Sequence, residues 1–339
     1  MTSARIAAVG TTVGAAGTVA LGALVARRLV APTPYTATAT VRSAAEASVE
    51  LVASRDTRLP GTYALVRDGR RVAVGRLLVS AAGDAETVRR ALLDGGATAP
   101  PEPGEWTWDA SMVDSERDVP GDEPTAAAAT HVVHVHGQSL GPRQVLRGVA
   151  VWRALGATSE VVDTTDLPLR SLDPVAVDRV VAAVRAARAR GVARVVLQGW
   201  SAGALAASVA AAREPVDGIV AVAPLLDVRS ALRGAVGAAR LPRFVGTVAA
   251  RIATTPVLSR LAGAPRPVRT TSWQDTHTPT LVLHSTADAL VAVDDVARLT
   301  QRHDVHAVAF RTAPHTLEWN EDPDRWETAV RDFAATITP

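Results

Sequence analysis

Lysine is absent from this 339-residue chain, so all 36 of its basic side chains are arginine. Asparagine occurs once, as Asn320, and there are only two methionines, two tyrosines and three phenylalanines. Such a bias reads as the coding habit of a high-GC genome, and the arginine count therefore says little about partners. Cysteine is absent too, which excludes a disulfide framework, a thiolate metal site and a cysteine nucleophile and leaves the redox compartment open. Excess charge of either sign is missing: the formal net charge is +2, with 34 acidic residues interspersed among the basic ones. That pattern lacks the basic stripe of a nucleic-acid binder. The length suffices for one large α/β domain or two ordinary ones.

Charge is also missing between Ile6 and Ala26, a segment of Ala, Val, Gly and Thr bracketed by Arg5 and Arg27-Arg28. Its length suits a bilayer crossing, and the arginine pair occupies the place where a cleavable signal peptide would carry its small-residue cleavage region. Residues 1–30 therefore read as a single-pass membrane anchor, with no bias that sets its orientation, and the expected location is the cell membrane. Gly10-x-x-x-Gly14 lies inside this segment but matches so readily in glycine-rich sequence that it defines no helix pair. Pro32, Pro34 and the following Thr/Ala run make residues 31–43 a tether.

From residue 44 onward the patterning predicts one folded domain, 44–339. Its first part is β: Gly61 to Val66 and Val72 to Val79 flank Asp68-Gly69, which supplies the positive φ angles of a tight hairpin. Asp84 is expected to cap a short helix ending at Leu93, before Gly95-Gly96. After Thr130 strands and helices alternate. Strands are expected at His131–His136, Glu160–Val162, Val195–Trp200, Gly218–Ala223, Thr280–Leu283 and Ala307–Phe310. Pro142, Asp173-Pro174 and Asp322-Pro323 start helices between or after them. Strands separated by helices imply a mainly parallel sheet with a site beyond the strands' carboxyl ends. About fifty residues between Asp227 and Pro279 carry no strong strand, too many for a structureless loop, so a helical insertion at about 228–278 is expected and its place makes it a candidate lid.

Chemistry concentrates where the strand Val195–Trp200 breaks. Gly199-Trp200-Ser201-Ala202-Gly203 has the Gly-x-Ser-x-Gly spacing of a nucleophile elbow, in which a strained turn lifts the serine hydroxyl above the sheet and a Cβ at either glycine would strike a neighbour. A serine hydroxyl needs a histidine base, and that base a carboxylate to orient it. The order Ser, acid, His leaves Asp288, just past the strand from Thr280, as acid; Asp227 is the main substitute, ahead of Asp294 and Asp295. Among eight histidines only His303, His306 and His315 follow Asp288, and His315 alone lies beyond the last strand's carboxyl end. The oxyanion donors expected from position are the backbone N–H groups of Ala202 and Gln138. His131, His134 and His136 look metal-like, but strand alternation separates His131 from the other two, and no metal site is expected. His284 is expected to pack beneath the Asp288 loop, Trp200 to serve as packing or pocket wall, and Asn320 either to hold the histidine loop or to make a plain turn.

With these residues in place, His131 to Thr338 resembles the α/β-hydrolase fold superfamily and is similar to a group of bacterial, often membrane-anchored serine hydrolases. The matching pieces are His136-Gly137, the Gly199–Gly203 pentapeptide, Asp288 and His315-Thr316-Leu317-Glu318-Trp319-Asn320. Pro60-Gly61-Thr62-Tyr63 in the hairpin resembles that group's N-terminal strands. The chain departs from the pattern at Ala202, where methionine is frequent, at Ala204, where a second glycine is frequent, and at His284-Ser285, where His-Gly is usual. The resemblance implies cofactor-free hydrolysis of a small acyl ester or lipid-like substrate. A catalytically silent, membrane-tethered binding module on the same fold is the alternative.

Overall fold

The computed structural model describes residues 17–30, 37–79, 86–93, 99–111, 129–269, 271–274, 276–291 and 293–337. Its first described element is helix α1, residues 17–30. No helix among the described residues is long and apolar enough to cross a membrane, which overturns the expected single-pass anchor and the location drawn from it. One face of the helix packs on protein: Val25, Ala26 and Val30 are buried in a cluster with helices α5 (Val228–Ala238) and α6 (Arg243–Thr254), while Val19 and Leu24 are exposed. A Cβ at Gly22 would stand 2.6 Å from a methyl of Val248, so the glycine lets α1 lie directly on α6. Ile6 to Ala16, with Gly10 and Gly14, fall outside the described residues.

The hairpin expected around Asp68-Gly69 is present, as β3 (Tyr63–Arg67) and β4 (Arg70–Val79), with φ of 52° and 75° at the two turn residues. It belongs to a closed six-stranded barrel with β1 (Ala37–Ala45), β2 (Ser48–Val52), β5 (Thr87–Leu92) and β6 (Gly104–Asp109), in the order β1-β2-β5-β4-β3-β6. Two expectations change here. The tether's second half is strand β1, whose small Ala and Thr residues alternate between the barrel core and solvent. In place of the helix ending at Leu93 stands β5; Asp84 itself lies outside the described residues. Val88 and Arg90 both point inward on β5, so the inward face carries a charge and the period-two signal is masked in the sequence. Arg90 is fully buried and donates to the carbonyls of Gly75, Thr57, Leu59 and Gly61. Those acceptors make the buried cation tolerable.

The α/β part is one parallel sheet in the order β12-β11-β10-β9-β7-β8, formed by β7 (Thr130–Val135), β8 (Thr158–Val162), β9 (Arg194–Trp200), β10 (Gly218–Val222), β11 (Thr280–Ser285) and β12 (Val305–Phe310). Successive strand residues point to opposite faces. Val132, Val196, Val220 and Leu281 meet α2 (Leu146–Ala154) and α9 (Pro323–Thr336) on one side. Val133, Val195, Leu197 and Ile219 meet α3 (Pro174–Ala189) and α4 (Ala202–Ala211) on the other. Each fully buried valine contributes roughly 1.5–3 kcal/mol of transfer free energy, so these two layers supply much of what holds the sheet between its helices. The helix starts follow the local chemistry: Pro142 opens a 3-10 turn that runs into α2, and Asp173 and Asp322 cap α3 and α9 by accepting from Val175 and Arg325 N–H. Between β10 and β11 the insertion is helical, consisting of α5, α6 and a 3-10 turn at Leu258–Ala262.

Candidate active site

Ser201 sits between β9 and α4 with φ 53° and ψ −116°, a conformation an L-residue adopts only under constraint from its surroundings. Those surroundings are backbone. A Cβ at Gly199 would stand 2.4 Å from the Cα of Ala204, and one at Gly203 only 2.2 Å from the carbonyl oxygen of Val135 and 2.6 Å from that of His136. Ser201 N–H donates to Val222 and its carbonyl accepts from Ala204 and Leu225, which pins the turn to the neighbouring strand end. The hydroxyl thereby stands at the carboxyl edge of the sheet, at the positive end of α4.

His315 reaches this point from the loop after β12. Its Nε2 lies 2.8 Å from Ser201 Oγ and its Nδ1 lies 2.6 Å from Asp288 Oδ2. A carboxylate at Nδ1 fixes the tautomer: Nδ1–H donates to Asp288, leaving Nε2 to accept from the serine hydroxyl. Asp288 is 8% exposed, and its other oxygen accepts from the N–H groups of Leu290 (2.7 Å) and Val291 (3.1 Å), so the carboxylate cannot rotate away. Of the other acids considered in the sequence, Asp294 is exposed on the surface and the other two have partners of their own. Asp227 caps α5 through Ser230 N–H, and Asp295 lies on α7 (Val293–Leu299), bonded to the hydroxyl of Ser230. His303 and His306 are exposed at the amino end of β12.

Facing the elbow is the turn after β7. A Cβ at Gly137 would stand 3.1 Å from the carbonyl oxygen of Trp200 and 3.4 Å from Ser201 Cβ, so the Gly137–Gln138 peptide lies against Ser201. Buried His136 orients it. Thr164 N–H donates to His136 Nε2 at 3.0 Å, so the ring's proton is on Nδ1, which donates to the Gly137 carbonyl at 2.7 Å. Burial lowers the pKa of this histidine, so Asp163 at 3.3 Å neighbours a neutral ring rather than pairing with a cation. In a trans peptide the C=O and N–H point oppositely, and holding the Gly137 carbonyl turns the Gln138 N–H the other way. Gln138 is fixed further: its side chain donates to Leu29 O at the end of α1 and accepts from Ser171 N–H, while its own carbonyl accepts from Arg170. Among the described residues, neither the Gln138 nor the Ala202 backbone N–H has a hydrogen-bond partner.

His131 and His134 are buried within β7, bonded to Thr158 and Ser159 of the adjoining strand. Burial pushes His134 down to about 3, so it is a neutral core residue. Among the described residues no three His, Cys, Asp or Glu side chains form a group that could hold a metal ion. His284 is half-buried, and burial lowers its pKa as well. Trp200 is fully buried, stacked 6.5 Å from Trp326.

Two residues near the site escaped the sequence reading. Arg147 on α2 donates to Asn320 Oδ1 at 2.6 Å and to the Thr316 carbonyl at 3.3 Å, but one arginine among 36 carries no signal. Glu318, three residues past the histidine, is fully buried with neither carboxyl oxygen bonded. Its place in the run from His315 to Asn320 was the only hint. A cleft of about 50 Å³ lined by Ser171, Asp173, Leu205 and Arg213 lies between α3 and α4 and does not include Ser201.

A family model described as a domain of unknown function, DUF8805, matches residues 40–109, the barrel. No curated protein matches the chain. Among similar solved structures is an esterase from Pyrococcus furiosus, 18% identical, with 62% of this chain and 83% of that one covered and a TM-score of 0.46. An esterase from Thermogutta terrifontis with propionate bound is 17% identical over 65% of this chain and 87% of that one, TM-score 0.45. An α/β serine hydrolase without a lid, from Xanthomonas campestris, is 16% identical over 63% and 85%, TM-score 0.41. At such distances the resemblance assigns no activity to this chain.

Proposed function

We propose that this chain is a serine hydrolase of the α/β-hydrolase type that cleaves an ester or related acyl bond through an acyl-enzyme intermediate. The observation that carries the reading is the unbroken hydrogen-bonded line from Ser201 Oγ through both nitrogens of His315 to a buried Asp288. Each group has the donor or acceptor role that nucleophilic acyl transfer requires. Ser201 Oγ attacks the acyl carbonyl while Nε2 of His315 takes its proton, and Asp288 stabilises the resulting imidazolium. The carbonyl oxygen, now negative, is met by the free N–H groups of Gln138 and Ala202. His315 then returns the proton to the departing alcohol, leaving an acyl ester on Ser201. Water, deprotonated by the same imidazole, reverses these steps and releases the acid. Every step uses side chains and backbone of this chain, and none calls for a cofactor.

The substrate this reading implies is a small ester or lipid-like acyl compound, and the insertion between β10 and β11, whose helices α5 and α6 share an apolar cluster with Ala202, Leu205 and Leu225 beside Ser201, is the candidate lid. A fluorophosphonate probe tests the reaction: the full chain should be labelled covalently and the Ser201→Ala variant should not. Folded protein that shows no serine-dependent labelling would leave a catalytically silent binding module on this architecture.

A further inference from the structure

The β-barrel makes a dense polar contact with the loop that carries His315, and that contact is centred on the only asparagine in the chain. Asn320 lies in the short helix α8 (Glu318–Glu321) and is fully buried. Its Nδ2 donates to the carbonyls of Thr62 (2.7 Å) and Ala110 (2.9 Å), and its backbone carbonyl accepts from Thr62 N–H at 2.8 Å. On the opposite side its Oδ1 accepts from Arg147, whose second Nη donates to Thr316 O, one residue from the imidazole. A side chain here must accept from a cation and donate to two carbonyls at once. Asparagine meets that demand; aspartate, isosteric, has no donors.

The barrel's half of the contact is just as determined. Buried Arg90 gathers the carbonyls of Thr57, Leu59 and Gly61, winding this loop around one guanidinium and presenting Gly61-Thr62 to Asn320. Gly61 has φ 95°, and a Cβ there would stand 1.9 Å from the Asn320 carbonyl oxygen. Leu317, next but one to His315, packs against both the barrel core and the sheet's α2/α9 layer. Thr316 between them has φ 66°, a conformation that a residue with a branched Cβ keeps only when its neighbours hold it.

We propose that the barrel is a positioning module for the histidine loop, acting through Thr62, Asn320 and Arg147 to hold the His315 imidazole between Ser201 and Asp288. This rests on the serine-hydrolase reading for its effect on rate, but the geometry it asserts is independent of turnover. Asn320 and Arg147 touch no substrate in this scheme; they are positioning residues.

The test compares the full-length wild type with Asn320→Asp, Gly61→Ala and a control, Glu102→Ala, whose side chain is on the exposed face of the barrel at the Arg67 end of β3. For each folded protein the measurements are kcat and KM on a short-chain p-nitrophenyl ester, the rate of fluorophosphonate labelling, and the low-field proton signal of the His315 Nδ1–H bonded to Asp288. Displacing a reacting group by about 1 Å costs roughly 100-fold. The expected result is a fall of about 10- to 100-fold in kcat and in labelling for Asn320→Asp and Gly61→Ala. KM should stay within about twofold, since neither substituted residue touches substrate in this scheme. The low-field signal should be lost or broadened in both, while Glu102→Ala matches wild type. Variants that are folded and retain wild-type kcat and the wild-type low-field signal would overturn the proposal. A wild type that is never labelled defeats the hydrolase reading alone; the proton signal in Gly61→Ala then decides the positioning role by itself. Should Gly61→Ala fail to fold, Asn320→Asp, which changes no volume, decides it.

Discussion

Gly203 on the elbow helix lies so close to the end of β7 that a methyl group on its Cα would stand 2.2 Å from the Val135 carbonyl oxygen. Two distant pieces of chain thus meet at a distance only glycine permits, and the turn bearing Gln138 follows directly from β7. Replacing Gly203 by alanine should push the helix and that turn apart. The expected cost is about 1–3 kcal/mol or more, measured as a shift in urea midpoint, with fluorophosphonate labelling lost even where the protein still folds.

Asp288→Asn should leave the fold intact and lower kcat for a short-chain ester by about 10⁴-fold. An amide at this position can donate to Nδ1, which favours the tautomer with the proton on Nε2, where it can no longer accept from Ser201. The Oδ1 contacts to Leu290 and Val291 N–H survive the change, so the loop should hold its shape. A pH-rate profile at saturating ester, with circular dichroism as the control for folding, checks this.

Two buried groups give the stability opposite dependences on pH. His134 has its pKa lowered to about 3 from an ordinary 6.5 by burial, so the unfolded chain binds its proton more tightly. Its contribution is present above pH 6.5 and is lost as pH falls toward 3, at up to about 1.4 kcal/mol per pH unit. Glu318 is the reverse: burial, then the charge of Asp288, raises its pKa well above the ordinary 4.5, so the folded chain holds the proton more tightly. Its contribution is present below pH 4.5 and is lost as pH rises through the elevated value. Glu318→Gln, an isostere of the neutral acid, should flatten the alkaline decline, and His134→Gln should flatten the acid one. Urea midpoints measured from pH 4 to pH 9 would show it; a variant whose slope matches wild type removes that group from the account.

Ala26, fully buried against the insertion, tests where α1 belongs. Ala26→Glu places an unpaired carboxylate in the apolar cluster that α1 shares with α5 and α6. It should destabilise the protein by about 3 kcal/mol by the usual scale for buried unpaired charge. Leu24→Glu, on the exposed side of the same helix, should change the denaturation midpoint little. Equal effects of the two substitutions would contradict the packing described.

The sequence by itself determined whatever depends on neighbours along the chain. Alternating β-branched runs with proline- and aspartate-led helices specified the parallel sheet, because side-chain period and capping chemistry are local. The order of Ser201, Asp288 and His315 was legible in the same way, since each follows a recognisable strand. Tertiary structure decided everything that depends on which surfaces meet. The apolar stretch ahead of Arg27 has the composition of a lipid-facing segment, yet the described helix buries Val25, Ala26 and Val30 against protein; an apolar face carries no record of what covers it. β5 carries no alternating pattern because its inward-facing Arg90 is solvated by carbonyls from segments distant in sequence. The 2.8 Å and 2.6 Å distances around His315 exist only once β9, β11 and β12 lie in one sheet, and the link from Thr62 to Asn320 across 258 positions only once the barrel and the sheet are folded against each other. Hydrogen-bond geometry is set by packing over the whole molecule, so no local pattern of residues can announce it.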